Sequence, residues 1–307
     1  TIAKGLRAVT FRVTILGDQT DERNEAFLVR LSSPTGARLV DPLAQGVITD
    51  DDGPADAYTP IASLPYTATR AGRYRLAGNL DYAPASGAAI TVGVGGVILD
   101  LDGRLLRGTA GDATQAFGVL ARNKVKVTVE NGTVQGFLAG VYLAGPPPYA
   151  TGQGLVVRTL RAVSNTYAGI WLEGRGNLVS GTEVVDTGGT TALGPGAGAV
   201  GLASVGPLPK LQQNQVRDTA PAAGGDAFGI AARGATSGVL SGNLVRNTLA
   251  AAVTGILVTG ATKASVSANT LETLDYGVVF SSGATGTCVA NTMSAVAVPA
   301  LGVSCVP

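Results

Sequence analysis

A short motif returns along this chain at near-regular intervals, and few folds can absorb it. A glycine followed by alternating apolar or small residues (G-φ-x-φ) begins at Gly118 (GVLA), Gly140 (GVYL), Gly169 (GIWL), Gly201 (GLAS), Gly229 (GIAA), Gly255 (GILV) and Gly277 (GVVF), with successive gaps of 22, 29, 32, 28, 26 and 22 residues. Periods of this length belong to stacked units that cannot bury an apolar face alone. The gaps are too short, and too rich in Gly and Asn, for helix pairs. Each repeat is therefore predicted to be one coil of short strands.

A second landmark sets the register. Asparagine follows the glycine by 13 or 14 residues at Asn131, Asn214, Asn243, Asn269 and Asn291, and Asn165 fits if residues 146–154 are an inserted loop. Thr182 stands in its place in the Gly169 coil. Apolar residues lie three before the column (Val179, Leu211, Leu240, Val266, Cys288) and two after it (Val184, Val216, Val245, Leu271, Met293). Two strands meeting at a tight bend explain this order. Asparagine suits the bend because it tolerates the left-handed conformation, and stacked amides bond to one another.

Strand alternation then assigns directions. The residue after each glycine points inward and the next points out. The outward column reads Leu120, Tyr142, Trp171, Ala203, Ala231, Leu257 and Val279, with no charge in it. Such a stripe is either covered by loops, a contact surface between subunits, or a place where Tyr142 and Trp171 stack on sugars. Four residues past the bend runs a polar column: Gln135, Asp186, Asp218, Asn247 and Thr273. Asp186 and Asp218 would sit on adjacent coils about 5 Å apart, near the separation of carboxylates in retaining glycosidases. They are the candidate catalytic pair, and a polar ladder at a solvated turn accounts for them as well.

Composition narrows the chemistry. Only 14% of the 307 residues are charged while Gly numbers 44, a balance that argues against disorder and for buried strands with frequent turns. A net charge of +1 provides no field to gather nucleic acid or an anionic membrane, and no run is long enough for a transmembrane helix. Histidine is absent, which removes the commonest general base and metal ligand. Two cysteines, Cys288 and Cys305, fall at inward positions in the last two coils, where a bridge would pin the C-terminal end in an oxidising compartment.

The N-terminal stretch reads differently. Phe11–Ile15 and Ala26–Leu31 alternate as half-buried strands, a third strand is expected around Val47-Ile48, and an acidic loop joins the first two. The run VTILGDQTDERNEAFLVRLSSPTGARL…GVITDDDGP resembles the second half of a Calx-β domain, an immunoglobulin-like sandwich. The resemblance implies Ca²⁺ ligation by Asp18, Glu22, Glu25, Asp50, Asp51 and Asp52, and clustered carboxylates suit a hard cation that takes six to eight oxygens. Gly17 departs from the pattern, and the first half of that domain is not in the chain. A solvated acidic loop is the other reading of these residues. A half sandwich exposes strand edges, so the expectation is either a cleaved fragment or completion by strands of a neighbouring chain, which would link subunits.

From residue 57 to 307 the repeat resembles the right-handed parallel β-helices of the pectate-lyase-like superfamily. The segment PYTATRAGRYRLAGNLDY…AITVGVGGVILDLDGRLLRG is similar to the first coils of many secreted members. The expected fold is thus all-β, a β-helix over 57–307 preceded by a partial β-sandwich over 1–56. The scaffold carries lyases, hydrolases, adhesins and filament subunits alike. The G-H-G and R-I-K elements of its polygalacturonase-like hydrolases are missing, Gly224–Asp226 only echoes a hydrolase GGD, and no acidic cluster is expected beside Arg122 or Arg233. Lys124 with Arg122 imitates a lyase pair, and two basic residues in one turn are usually solvated. The expected function is a non-catalytic extracellular or bacterial cell-surface protein, structural or adhesive, assembling with itself and contacting polysaccharide. The alternative is a secreted polysaccharide lyase or glycoside hydrolase.

Overall fold

The computed structural model describes residues 10, 12–15, 24–31, 36, 43–48, 58–149, 151–222, 224–249 and 252–306. Two compact units divide the chain, Thr1–Ala57 and Tyr58–Pro307, and every regular element among the described residues is a strand. No helix among them is long and apolar enough to cross a membrane.

In the first unit, strands Glu25–Arg30 and Leu43–Ile48 pair antiparallel, with Glu25 opposite Ile48 and Phe27 opposite Gly46. The Phe27 ring lies where a Cβ on residue 46 would fall, which is why glycine stands there. The strand expected over 11–15 is not found in its described part. Residues 12–15 pair with nothing among the described residues, and Val13 and Ile15 are exposed. Of the expected calcium ligands, Asp18, Glu22, Asp50, Asp51 and Asp52 lie outside the described residues, and Glu25 is exposed at the start of its strand.

The second unit is a parallel β-solenoid of about 9 turns. Each coil contributes to three parallel ladders. One contains Phe117–Arg122, Ala139–Ala144, Ala168–Glu173, Ala199–Val205, Ala227–Arg233 and Val253–Thr259. A second stacks Leu178–Ser180, Lys210–Gln212, Val239–Ser241 and Ala264–Ser267, and a third stacks Glu183–Gly188, Gln215–Ala220 and Leu244–Arg246. The residues after the glycines, Val119, Val141, Ile170, Leu202, Ile230, Ile256 and Val278, are wholly buried in the lumen. Both apolar columns flanking the asparagines run coil to coil as expected.

The glycine column has a packing cause. A Cβ on Gly201 would fall 2.3 Å from Val216 Cγ1 and 2.8 Å from the Gly229 carbonyl oxygen, and one on Gly229 would meet Val245 and Gly255 in the same way. The valine column two residues past the bend presses across a flattened lumen onto the glycines, so no side chain fits there.

Asparagines 214, 243, 269 and 291 form a ladder whose first three members are buried. Asn243 donates from Nδ2 to Asn269 Oδ1 at 2.9 Å and to the Leu211 carbonyl at 2.8 Å, and Thr182 caps the series by donating from Oγ1 to Asn214 Oδ1 at 2.8 Å. Three expectations need correction. The left-handed residue at each bend is the one before the asparagine, namely Gln213, Gly242, Ala268 and Ala290. That placement frees the asparagine to aim its amide along the stack. Asn131 precedes the column by one residue, because Gly132 and Leu160 occupy its place in the two earlier coils. Asn165 belongs to a different turn, where its Oδ1 accepts from the Phe137 amide at 3.1 Å. Cys288 and Cys305 face each other on the last two coils and are disulfide-bonded.

Candidate functional site

The outward column occurs in the expected register, Leu120 to Tyr142 to Trp171 to Ala203 to Ala231 to Leu257 to Val279. It is not an open stripe along its length. Ala203, Ala231, Leu257 and Val279 are buried in a second apolar cluster outside the lumen. A parallel outward column, one residue before each glycine, completes that cluster: Phe117, Ala139, Ala168, Val200 and Phe228.

The alternation of size in this second column shapes the surface. Phe117 and Phe228 stand four coils apart, about 19 Å by strand spacing. Between them Ala139 and Ala168 hold only methyl groups, and the missing volume is a cavity of about 330 Å³ lined also by Leu138, Tyr142, Tyr167, Trp171, Glu173 and Leu193. A second hollow of about 200 Å³ adjoins it, sharing Tyr167 and Trp171 and reaching Gly198, Asp226, Phe228 and Arg233. The Tyr167 and Trp171 rings stack with centroids 6.0 Å apart, and Phe117 meets Tyr142 edge-on at 5.6 Å.

Glu173 organises the aromatic groups. Its Oε1 accepts from Tyr142 Oη and from Trp171 Nε1, both at 2.8 Å, and its Oε2 accepts from Tyr149 Oη at 3.3 Å. Burial, followed by the bond to Glu173, pushes the Tyr142 phenol up to about 12, and burial with the same carboxylate raises Tyr149. Both phenols thus stay protonated donors. Arg122 lies 5.8 Å from the Phe117 and Tyr142 ring centres, and Arg233 lies 5.8 Å from that of Trp171.

Glu173, Phe117, Tyr167 and Phe228 do not emerge as site residues from the sequence, and Asp226 does so only as the end of the GGD echo. The signal for Glu173 is present, because it occupies the next outward position after Trp171. Arg122, Ala144, Glu173, Val205 and Arg233 form one register column. Glu173 lies two coils from each arginine in this column, a single acid where a lyase site would need a cluster.

Asp186 and Asp218 stand on adjacent coils, between the facing pairs Val185–Arg217 and Thr187–Thr219, and both have left-handed backbone. Partial desolvation and then the neighbouring Asp218 raise the Asp186 pKa, while Arg217 and Arg161 pull it down. Asp218 Oδ1 accepts from the Thr248 amide at 2.7 Å and from its hydroxyl at 2.8 Å. The pair lines neither of the two hollows. Gln135 is not in this column. It faces Val163, and Gly136 takes the left-handed position instead.

No protein-family model and no curated protein matches the chain. Among solved structures it is similar to the full-length tailspike protein 2 from Escherichia coli O157:H7 bacteriophage CAB120, with 12% identity over 73% of this chain and 34% of that one, TM-score 0.46. It is also similar to the A-module of the Azotobacter vinelandii mannuronan C-5 epimerase AlgE6, with 13% identity over 81% of this chain and 90% of that one, TM-score 0.40. A third likeness is to the Agl-KA catalytic domain, with 12% identity over 86% and 73% of the two chains, TM-score 0.38. The chain spans about a third of the tailspike's length. At these identities and scores the likenesses carry nothing about chemistry.

Proposed function

We propose that the chain is a non-catalytic extracellular or cell-surface β-solenoid that binds a polysaccharide along the groove between Phe117 and Phe228. One observation carries this reading: Tyr142 and Trp171 are held by a single Glu173 oxygen beside a floor of Ala139 and Ala168. A recess walled by fixed aromatic rings, with a few convergent polar groups at its edge, suits a saccharide, whose rings present apolar faces and hydroxyl rims. Glu173 acts here as a positioning residue, since hydrogen bonds engage both of its oxygens. Titration with oligosaccharides, followed through tryptophan fluorescence, tests the proposal directly because Trp171 is the single tryptophan. A spectrum unmoved by every saccharide would remove it.

The second reading is a polysaccharide lyase or hydrolase working at Asp186 and Asp218. It is favoured by the raised Asp186 pKa beside a second carboxylate, as an acid catalyst requires. Shortened chains after incubation with acidic or neutral polysaccharides, lost in Asp186→Asn, would decide for the enzyme.

Calcium binding by Asp18, Glu22, Glu25, Asp50, Asp51 and Asp52, and completion of a Calx-β sandwich by a neighbouring chain, belong to the same proposal. The supporting observation is the two-stranded ribbon of Glu25–Arg30 and Leu43–Ile48, since two strands alone are marginal in water. Light scattering with calcium and with a chelator tests both. A mass that equals one chain under both conditions would exclude assembly through this unit.

A further inference from the structure

The two hollows of the groove differ in the hydrogen bonds they have left to offer. In the larger one, the Tyr142 hydroxyl and the Trp171 N–H are already engaged by Glu173, and Tyr149 takes the other Glu173 oxygen. The rest of its lining is apolar save for Tyr167, which also lines the second hollow. In the smaller one, the Asp226 carboxylate has no hydrogen-bond or ion-pair partner among the described residues, nor has the Arg233 guanidinium, which lies 5.8 Å from the Trp171 ring centre. Both side chains are exposed.

A hydroxyl buried against the Ala139 and Ala168 floor of the first hollow would lose water and find only the spare acceptor capacity of Glu173 and the Tyr167 hydroxyl, whereas a methyl or acyl group would gain from leaving water. In the second hollow an acceptor and a donor of opposite charge stand ready for vicinal hydroxyls. The stacked pair Tyr167 and Trp171 separates the two, so one ligand spanning both would place neighbouring sugar rings on opposite sides of it.

We infer that the groove takes a heteropolysaccharide in which a ring bearing an apolar substituent, a deoxy methyl or an acyl group, adjoins a hydroxyl-rich ring. The substituted ring seats over Ala139 and Ala168, and the other seats on Asp226 and Arg233. This rests on the saccharide-binding reading above and assigns its substrate class.

The test uses the full chain and three probes read through Trp171 fluorescence: an O-acetylated mannan oligosaccharide, the same material after mild alkaline deacetylation, and a rhamnose-containing hetero-oligosaccharide. The acetylated and rhamnose-containing probes are expected to bind at least tenfold more tightly than the deacetylated one. Ala168→Leu, which fills the first hollow, should erase that preference. Asp226→Asn should weaken all three probes alike. Circular dichroism and melting confirm that both variants fold. Equal affinity for acetylated and deacetylated probes overturns this inference and leaves the saccharide reading intact. Binding that ignores both variants places the saccharide elsewhere and overturns it as well. Failure of all three probes to bind takes down the inference and the reading together.

Discussion

Trp171 Nε1 donates a 2.8 Å hydrogen bond to Oε1 of Glu173, two residues further along the same strand and therefore on the same outward face. The bond fixes the indole against the groove, and Tyr142 on the preceding coil reaches the same oxygen. Replacing Glu173 by Gln keeps the shape and removes the charge that strengthens all three bonds. Glu173→Gln is expected to weaken saccharide binding about tenfold, to broaden and red-shift the Trp171 emission, and to cost about 1–2 kcal/mol of stability. An unchanged emission spectrum would show that Glu173 does not position the ring.

Glycine at position 201 is required by contact, and its conformation is ordinary. The added methyl of Gly201→Ala would overlap Val216 and the Gly229 carbonyl, so a loss of about 2–3 kcal/mol is expected. Gly78→Ala is the matched control, since nothing lies within 4 Å of its Cβ position. Urea unfolding should separate the two variants clearly.

The asparagine ladder should be least tolerant at its middle. Asn243 is buried, with its amide bonded along the stack to Asn214 and Asn269 and sideways to Leu211. Asn243→Leu would strand buried donors and acceptors on both neighbouring coils, at about 3 kcal/mol or more. Asn291→Leu, at the partly exposed end of the ladder, should cost about half as much. Equal losses at the two positions would mean that the stack does not act as a connected network.

Asp100 predicts a pH dependence. Its side chain is fully buried opposite Glu130, its Oδ1 accepts from the Asp102 amide at 2.8 Å, and its Oδ2 has no hydrogen-bond partner among the described residues. Burial raises its pKa to about 6. The Asp102 amide and Arg75 oppose the shift, and the Glu130 and Asp102 charges add to it. A carboxyl whose folded pKa exceeds its unfolded value near 4 favours the folded state when protonated. That contribution is complete below about pH 4 and is lost as pH rises through about 6. Asp100→Asn should therefore raise stability by about 3 kcal/mol at pH 8 and change it little at pH 4. A gain that is the same at both pH values would contradict the assignment.

Much of the coil architecture was legible because a solenoid repeats its constraints. A residue that must be Gly, inward Val or ladder Asn in one coil must be so in the next, and the chain therefore displays its own register. The misplacements of Asn131, Asn165 and Gln135 arose where loops of unequal length slip the count by one residue or send a side chain to another turn. Tyr142 and Trp171 stood out as large aromatics in an outward column. Glu173 did not, because its role depends on where two other side chains end their reach, and spacing does not encode that.

Period and alternation alone determined a stack of parallel strands, the lumen-facing residues, and the outward column that carries Tyr142 and Trp171. These follow from local geometry, since strand side chains alternate and stacked coils must match. Tertiary structure alone decided that Ala139 and Ala168 leave a recess between Phe117 and Phe228, and that Glu173 gathers three donors. It also decided that Asp226 and Arg233 open onto the same groove while Asp186 and Asp218 do not. Those outcomes depend on volumes and reach between coils and loops, where side-chain packing sets the surface.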